Sequence, residues 1–311
     1  MEHRALGNTG LKISALSFGA SSLGGVFRDI DEAEAIRAVH VSIEMGINFI
    51  DVSPFYGLTK AETVLGKALK SVRRDKYILA TKAGRYGLEQ KDFDFSAKRV
   101  TQSVDESLQR MGVGYVDVIQ AHDIEFGNLD QVIGETIPAL RKIQQAGKAR
   151  FVGVTGLPLK ALRHVVESVP LDVILSYCHF ELNDTALLDL VPKLKKRGVG
   201  IINASPLGMG LLSSRGSPAW HPAPEAVKET CARAAAHCRA RGAAIEKLAI
   251  QYSLTQPEIA TTVVGSASPD NMKRNIEWAF EPIDRILLEE VLAILKPVHN
   301  VTWESGRGEN N

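Results

Sequence analysis

The sequence is poor in several features that would each point to a function. Cysteine is scarce: Cys178, Cys231 and Cys238 are the only three, an odd number without zinc-type spacing. That excludes a disulfide framework and gives no cysteine metal cluster, so reduced thiols and no metal site are expected. Charge of one sign is lacking as well: 37 Lys and Arg stand against 36 Asp and Glu, a formal net charge of +1. So balanced a chain offers no field for nucleic acid or an anionic membrane surface, and small molecules are the expected partners. No hydrophobic run approaches the ~20 residues of a membrane helix. The opening MEHRALGNTG has no apolar signal core, and a cytoplasmic protein is expected. Also absent are internal repeats, low-complexity tracts and a G-x-G-x-x-G after the first strand, which argues against a doubly wound dinucleotide fold.

What is present is an alternation of short apolar strands and amphipathic helices along 311 residues. Arg4–Leu6, a Gly-Asn-Thr-Gly turn and Leu11–Ile13 predict a small hairpin. Eight strands are then predicted at Ala15–Phe18, Asn48–Val52, Tyr77–Thr81, Val116–Gln120, Phe151–Thr155, Val173–Ser176, Val199–Ala204 and Thr261–Val264. Asp31–Met45 reads as a helix with acidic residues at its positive end and Gly46 at its stop. Leu129, Val132, Ile133, Ile137, Leu140 and Ile143 make one apolar face of a helix ended by Gly147. Eight βα units in one chain predict a single-domain α/β fold, a closed (β/α)8 TIM barrel. The N-terminal hairpin precedes it, and long loops crown its C-terminal face. The longest irregular stretch, Pro206–Pro224, follows the seventh strand on that face.

Ionisable residues end three adjacent strands. Asp51 ends the second, with Tyr56 five residues on; Lys82 ends the third and His122 the fourth. Neighbouring strands bring these four to one place. An ammonium beside a phenol favours the phenolate, a carboxylate holds the ammonium, and an imidazole in reach orients a substrate oxygen. Singly, each has a bland reading: Asp51 as a helix cap, Tyr56 as a rim aromatic, Lys82 as a solvated strand end, His122 as a core histidine. Together they form a catalytic set for proton transfer, and since none carries a hydride, a cofactor must.

The pattern Asp51-Val-Ser-Pro-Phe-Tyr56, Ala80-Thr81-Lys82 and Ala121-His122-Asp123 resembles that of the aldo-keto reductase superfamily, from Leu6–Leu11 to Asn275. The stretches Phe93–Ser96, His122–Phe126, Gly153–Pro158, Val173–His179, Ala204–Leu207, Trp220–Ala223 and Val301–Trp303 resemble its aldose 1-dehydrogenases. The resemblance implies oxidation of an aldose, L-galactose or L-fucose, at C1 to the lactone, by a monomer. In that reaction Tyr56 is general acid/base, Lys82 lowers its pKa, Asp51 partners Lys82 and His122 orients the sugar hydroxyl. It further implies cofactor contacts at Thr155, Ser176, Ser205, Leu207, Gly265, Ser266, Asn271 and Asn275. Gly265 and Asn271 stand where NADP-dependent members carry the Lys and Arg that neutralise the 2′-phosphate, so NAD is the expected cofactor, with NADP open through Lys273 or Arg274. Thr155-Gly156 replaces a Ser-Asn pair and Ala204 a stacking Tyr, for which Tyr177 is a candidate. Substrate contacts are expected among Phe27, Phe55, Asp123, Trp220, His221 and Trp303. The alternatives are a broad NADPH-dependent carbonyl reductase and, from a different class, a nicotinamide-binding regulatory subunit.

Overall fold

A computed structural model describes residues 1–26 and 29–311; Phe27 lies outside the described residues. The hairpin forms from β1 (His3–Ala5) and β2 (Lys12–Ser14), paired antiparallel with Arg4 opposite Ile13. Eight parallel strands follow: β3 (Leu16–Gly19), β4 (Phe49–Asp51), β5 (Ile78–Ala83), β6 (Val116–Ala121), β7 (Ala149–Gly156), β8 (Val173–Tyr177), β9 (Gly200–Ala204) and β10 (Thr261–Val264). They close into a barrel in chain order, β10 pairing back onto β3 with Val263 opposite Ser17. The predicted strands are these eight, with no end displaced by more than two residues and β10 matched at both ends.

Alternation along each strand sorts side chains between two cores. Phe49, Ala80, Val118, Val173, Leu175, Ile202 and Val263 fill the barrel interior. Leu16, Phe18, Ile50, Leu79, Ile119, Val152, Val154, Ile174 and Ile201 face the surrounding helices. Leu6, Leu11 and Ile13 of the hairpin join the interior cluster, so the hairpin stoppers the N-terminal end of the barrel. Gly7, at φ 51°, permits that seating: a Cβ there would lie 2.3 Å from the Gly200 nitrogen.

The helical layer comprises α1 (Glu32–Glu44), α2 (Lys60–Leu69), α3 (Ala97–Met111), α4 (Leu129–Gln131), α5 (Ile137–Gln145), α6 (Leu159–Ser168), α7 (Val191–Lys196), α8 (Glu225–Ala240), α9 (Ile245–Ser253), α10 (Pro269–Phe280) and α11 (Arg285–Leu295). Asp31 caps α1 by accepting from the Glu34 amide, and Ser96 caps α3 by accepting from that of Arg99. The predicted 129–143 helix is not uniform. A π-helical turn, Val132–Thr136, joins α4 to α5, where Pro138 offers no amide to the preceding turn. α8 and α11 share a separate apolar cluster with the tail, including Val227, Cys231, Leu287, Val291 and the half-buried Trp303. No helix among the described residues is long and apolar enough to cross a membrane.

Candidate active site

The C-terminal ends of β4, β5 and β6 bring Asp51, Lys82 and His122 together, and the turn after β4 adds Tyr56. Lys82 is buried to 1% and donates to an Asp51 oxygen, to the Val52 carbonyl at 3.0 Å and to the Tyr56 hydroxyl at 3.1 Å. All three ammonium hydrogens are thereby used. Gln120, next but one before His122 and therefore on the same face of β6, donates to the second Asp51 oxygen at 3.1 Å. It is not among the residues singled out from the sequence, though its position two residues before His122 marks it.

Burial pulls the Lys82 ammonium down, but the Asp51 carboxylate and Tyr56 outweigh it and hold it protonated. Burial also pushes Asp51 and Tyr56 up, each opposed by Lys82. Lys82 pulls the Tyr56 pKa down, as the resemblance implies. In this site desolvation is the larger effect, and it raises the Tyr56 phenol above its ordinary value. Burial draws His122 down to about 3, against the pull of the Asp123 carboxylate, so its imidazole is neutral across the physiological range.

A second cluster lies against the first. Asp123 adopts a left-handed backbone, φ 50° and ψ 60°, a conformation that aspartate tolerates better than most residues. One carboxylate oxygen takes Arg85 at 2.6 Å and stands 3.6 Å from His122 Nε2. The other accepts from the Thr155 hydroxyl at 3.1 Å, and that hydroxyl accepts the Asp123 amide at 2.9 Å. Against the upward push of burial, the His122 ring and the Arg85 guanidinium hold the Asp123 carboxyl below its usual range. Arg85 lies 3.7 Å over the Phe55 ring and close to the stacked pair Phe93 and Phe126. Phe55 in turn meets His122 edge-on at 5.9 Å. Arg85 was missed because its partners come from three separate segments of the chain.

The other candidate residues divide. Thr155 has its hydroxyl engaged by Asp123 rather than free. Ser176 shares the helix-facing side of β8 with Ile174, opposite Tyr177, and its Oγ is buried without a partner among the described residues. His221 is buried with both ring nitrogens taken, one by the Gly208 carbonyl at 2.9 Å and one by the Ala223 amide at 3.1 Å. It braces the long loop, with Trp303 edge-on at 4.9 Å and the exposed Trp220 stacked at 5.9 Å. These three rings stand together.

Ser205 and Leu207 lie on the loop after β9, and Gly265, Ser266, Asn271 and Asn275 run from the end of β10 into α10. Ser268 caps α10, and Asn271 donates to Ser266 Oγ at 3.5 Å. A Cβ on Gly265 would lie 1.9 Å from the Gly19 carbonyl oxygen, so bare backbone is required there. This donor set fits a dinucleotide: a helix N-terminus for a pyrophosphate, half-buried hydroxyls for riboses, and no side chain at the point of closest strand approach.

A parallel barrel with a phenol, a buried ammonium–carboxylate pair and a neutral imidazole at its mouth defines an oxidoreductase of the carbonyl/alcohol class. The comparisons agree, and the chain belongs to the aldo/keto reductase family, whose model matches residues 15–294. Members of this family use nicotinamide cofactors. The chain is 52% identical to an L-galactose dehydrogenase of Arabidopsis thaliana, covering 100% of this chain and 99% of that one. It is 29% identical to a D-threo-aldose 1-dehydrogenase of a Pseudomonas species, over 87% of this chain and 90% of the relative. Among solved structures, an aldo-keto reductase from Bacillus halodurans in its holo form superposes with a TM-score of 0.79 at 27% identity, covering 98% of both chains.

Proposed function

We propose that the chain oxidises an aldose of the L-galactose type at C1 to its lactone, with NAD as hydride acceptor. The observation that carries the chemistry is Lys82 Nζ bound at once to Asp51 and to Tyr56 OH; the whole-length likeness to L-galactose dehydrogenase supports the substrate class. L-Fucose shares the ring stereochemistry and is a second expected substrate.

In oxidation, Tyr56 accepts the proton of the anomeric hydroxyl, and Lys82 stabilises the phenolate so formed. Asp51, fixed by Gln120, keeps Lys82 charged and aimed. His122, being neutral, holds the sugar oxygen by a hydrogen bond without supplying a proton. Asp123 and the Arg85–Phe55 pair present a carboxylate and an aromatic edge to the rest of the sugar. The bound nicotinamide supplies hydride acceptance at C1. Run backwards, the same residues reduce a carbonyl with Tyr56 as acid.

Two features support NAD. No side chain fits at Gly265, and Asn271 is uncharged. Arg274 is engaged nearby, donating to Asn271 Oδ1 at 2.7 Å. Initial rates with L-galactose, L-fucose and D-sugars, each with NAD and NADP, test the reading. Fast NAD reduction by L-galactose is expected; turnover of small aldehydes with NADPH and no sugar oxidation would sink it. Asn271→Arg is expected to improve NADP use. Gly265→Lys is expected to lower affinity for both cofactors, because its side chain must start inside the Gly19 carbonyl. Cofactor titration by fluorescence separates the two.

A further inference from the structure

We propose that Ser53 is a positioning residue that fixes the His122 ring in the tautomer carrying its proton on Nε2. This deepens the proposed function and rests on its reading of His122 as the group that holds the substrate oxygen.

Ser53 lies in the turn after β4, between Asp51 and Tyr56, and is fully buried. Pro54 follows it, which restricts its backbone to extended conformations. Its Oγ sits 2.9 Å from His122 Nδ1 and accepts the Phe55 amide at 3.1 Å. With that amide already donating to the oxygen, the hydroxyl hydrogen needs an acceptor. Among the described residues its recorded partner is Nδ1. A serine that instead accepted from Nδ1–H would take two N–H donors and leave its own O–H buried and unused. The hydroxyl therefore donates to Nδ1, and a neutral imidazole with an accepting Nδ1 carries its hydrogen on Nε2.

The opposite edge of the ring gives the same answer independently. Nε2 stands 3.6 Å from an Asp123 oxygen that also binds Arg85. A lone pair on Nε2 would face that carboxylate, whereas an N–H meets it favourably. Among the described residues, the other charged or polar groups acting on the ring are Lys82 and Arg85, both cationic, and Tyr56, whose ring is edge-on at 5.7 Å, and the bond that Nδ1 makes is the one to Ser53. Ser53 thus works through His122, making its outer nitrogen a fixed neutral donor.

The test reads the tautomer directly, by nitrogen NMR of protein with 15N-labelled histidine rings, His122 being assigned from the His122→Gln spectrum. The parent is expected to show an unprotonated Nδ1 and a protonated Nε2, unchanged from mildly acid to mildly alkaline pH. Ser53→Ala is expected to show a mixture of the two tautomers and to lose about tenfold in kcat/KM, the worth of one buried hydrogen bond. Ser53→Thr, which keeps the hydroxyl, is expected to restore both. A protonated Nδ1 in the parent, or a tautomer unmoved in Ser53→Ala, overturns the proposal. A tautomer that shifts in Ser53→Ala with turnover unchanged overturns its catalytic half and the substrate-orienting reading of His122, while the assignment of the proton stands.

Discussion

Tyr56→Phe is expected to lower kcat/KM for sugar oxidation by about 10²–10⁴-fold, the usual contribution of a positioned acid/base group, with cofactor affinity unchanged. The substitution removes one oxygen. Lys82 keeps Asp51 and the Val52 carbonyl, so the ion pair beneath the site survives. Steady-state rates in both directions, with cofactor binding measured separately, check it; a variant that retains more than a tenth of the parent rate argues for another proton acceptor. The pH dependence carries a sign. Because burial holds the Tyr56 pKa above its ordinary 10, the phenol is protonated at neutral pH. Oxidation, which needs a proton acceptor, is expected to rise with pH through the alkaline range. Reduction, which needs a donor, is expected to stay level and to fall only beyond that pKa. His122, drawn down to about 3, adds no inflection near neutrality.

The second large effect concerns Glu125, three residues beyond His122 and completely buried. Its Oε1 accepts from the Leu157 amide, the Tyr177 hydroxyl and the Ser305 hydroxyl, each at 3.1 Å, while Oε2 has no partner among the described residues. Its carbonyl takes the Arg307 amide at 2.9 Å and the Asn310 side chain at 2.8 Å, which ties the tail 305–310 to the barrel rim. Burial, with the Asp123 charge as a smaller cause, pushes the carboxyl up to about 8. Unfolded glutamate titrates near ~4.3. Between those values the native state binds more protons than the unfolded state, so stability falls as pH rises, by up to about 1.4 kcal/mol per pH unit. Glu125→Gln keeps the acceptor oxygen and cannot ionise. Its melting temperature is expected to pull ahead of the parent's as pH rises from 5 to 8, reaching several degrees, and the gap to stay constant above. Parallel melting curves across pH 5–9 decide it; a gap that stays constant over that range refutes the buried neutral acid.

The barrel and its cluster at the mouth were legible in the sequence for one reason. Strand order and the two-residue alternation decide which side chains point inward, and both can be read along the chain. Asp51, Lys82 and His122 end adjacent strands, so their meeting follows from topology. What could not be read was set by contacts between segments far apart in sequence. Arg85 finds Asp123 across 38 residues and Ser53 finds His122 across 69. Glu125 meets Ser305 across 180. Thr155 is committed to Asp123, and His221 is closed off by two backbone groups, through turns whose geometry the sequence does not announce. Ser176 shows the sharpness of the alternation rule: it sits one residue from Tyr177 and faces the other way. The π-helical turn before Pro138 was hidden because the apolar periodicity continues through it undisturbed.

The hairpin seated beneath the barrel has a kinetic corollary. With Leu6, Leu11 and Ile13 filling the lower end, the cluster around Tyr56 is closed from below among the described residues, and two molecules that meet there share the C-terminal mouth of the barrel. A guest that lies beneath the other is expected to arrive first and depart last. Order of addition is then dictated by architecture rather than by affinity, and product-inhibition patterns would record which guest waits for the other.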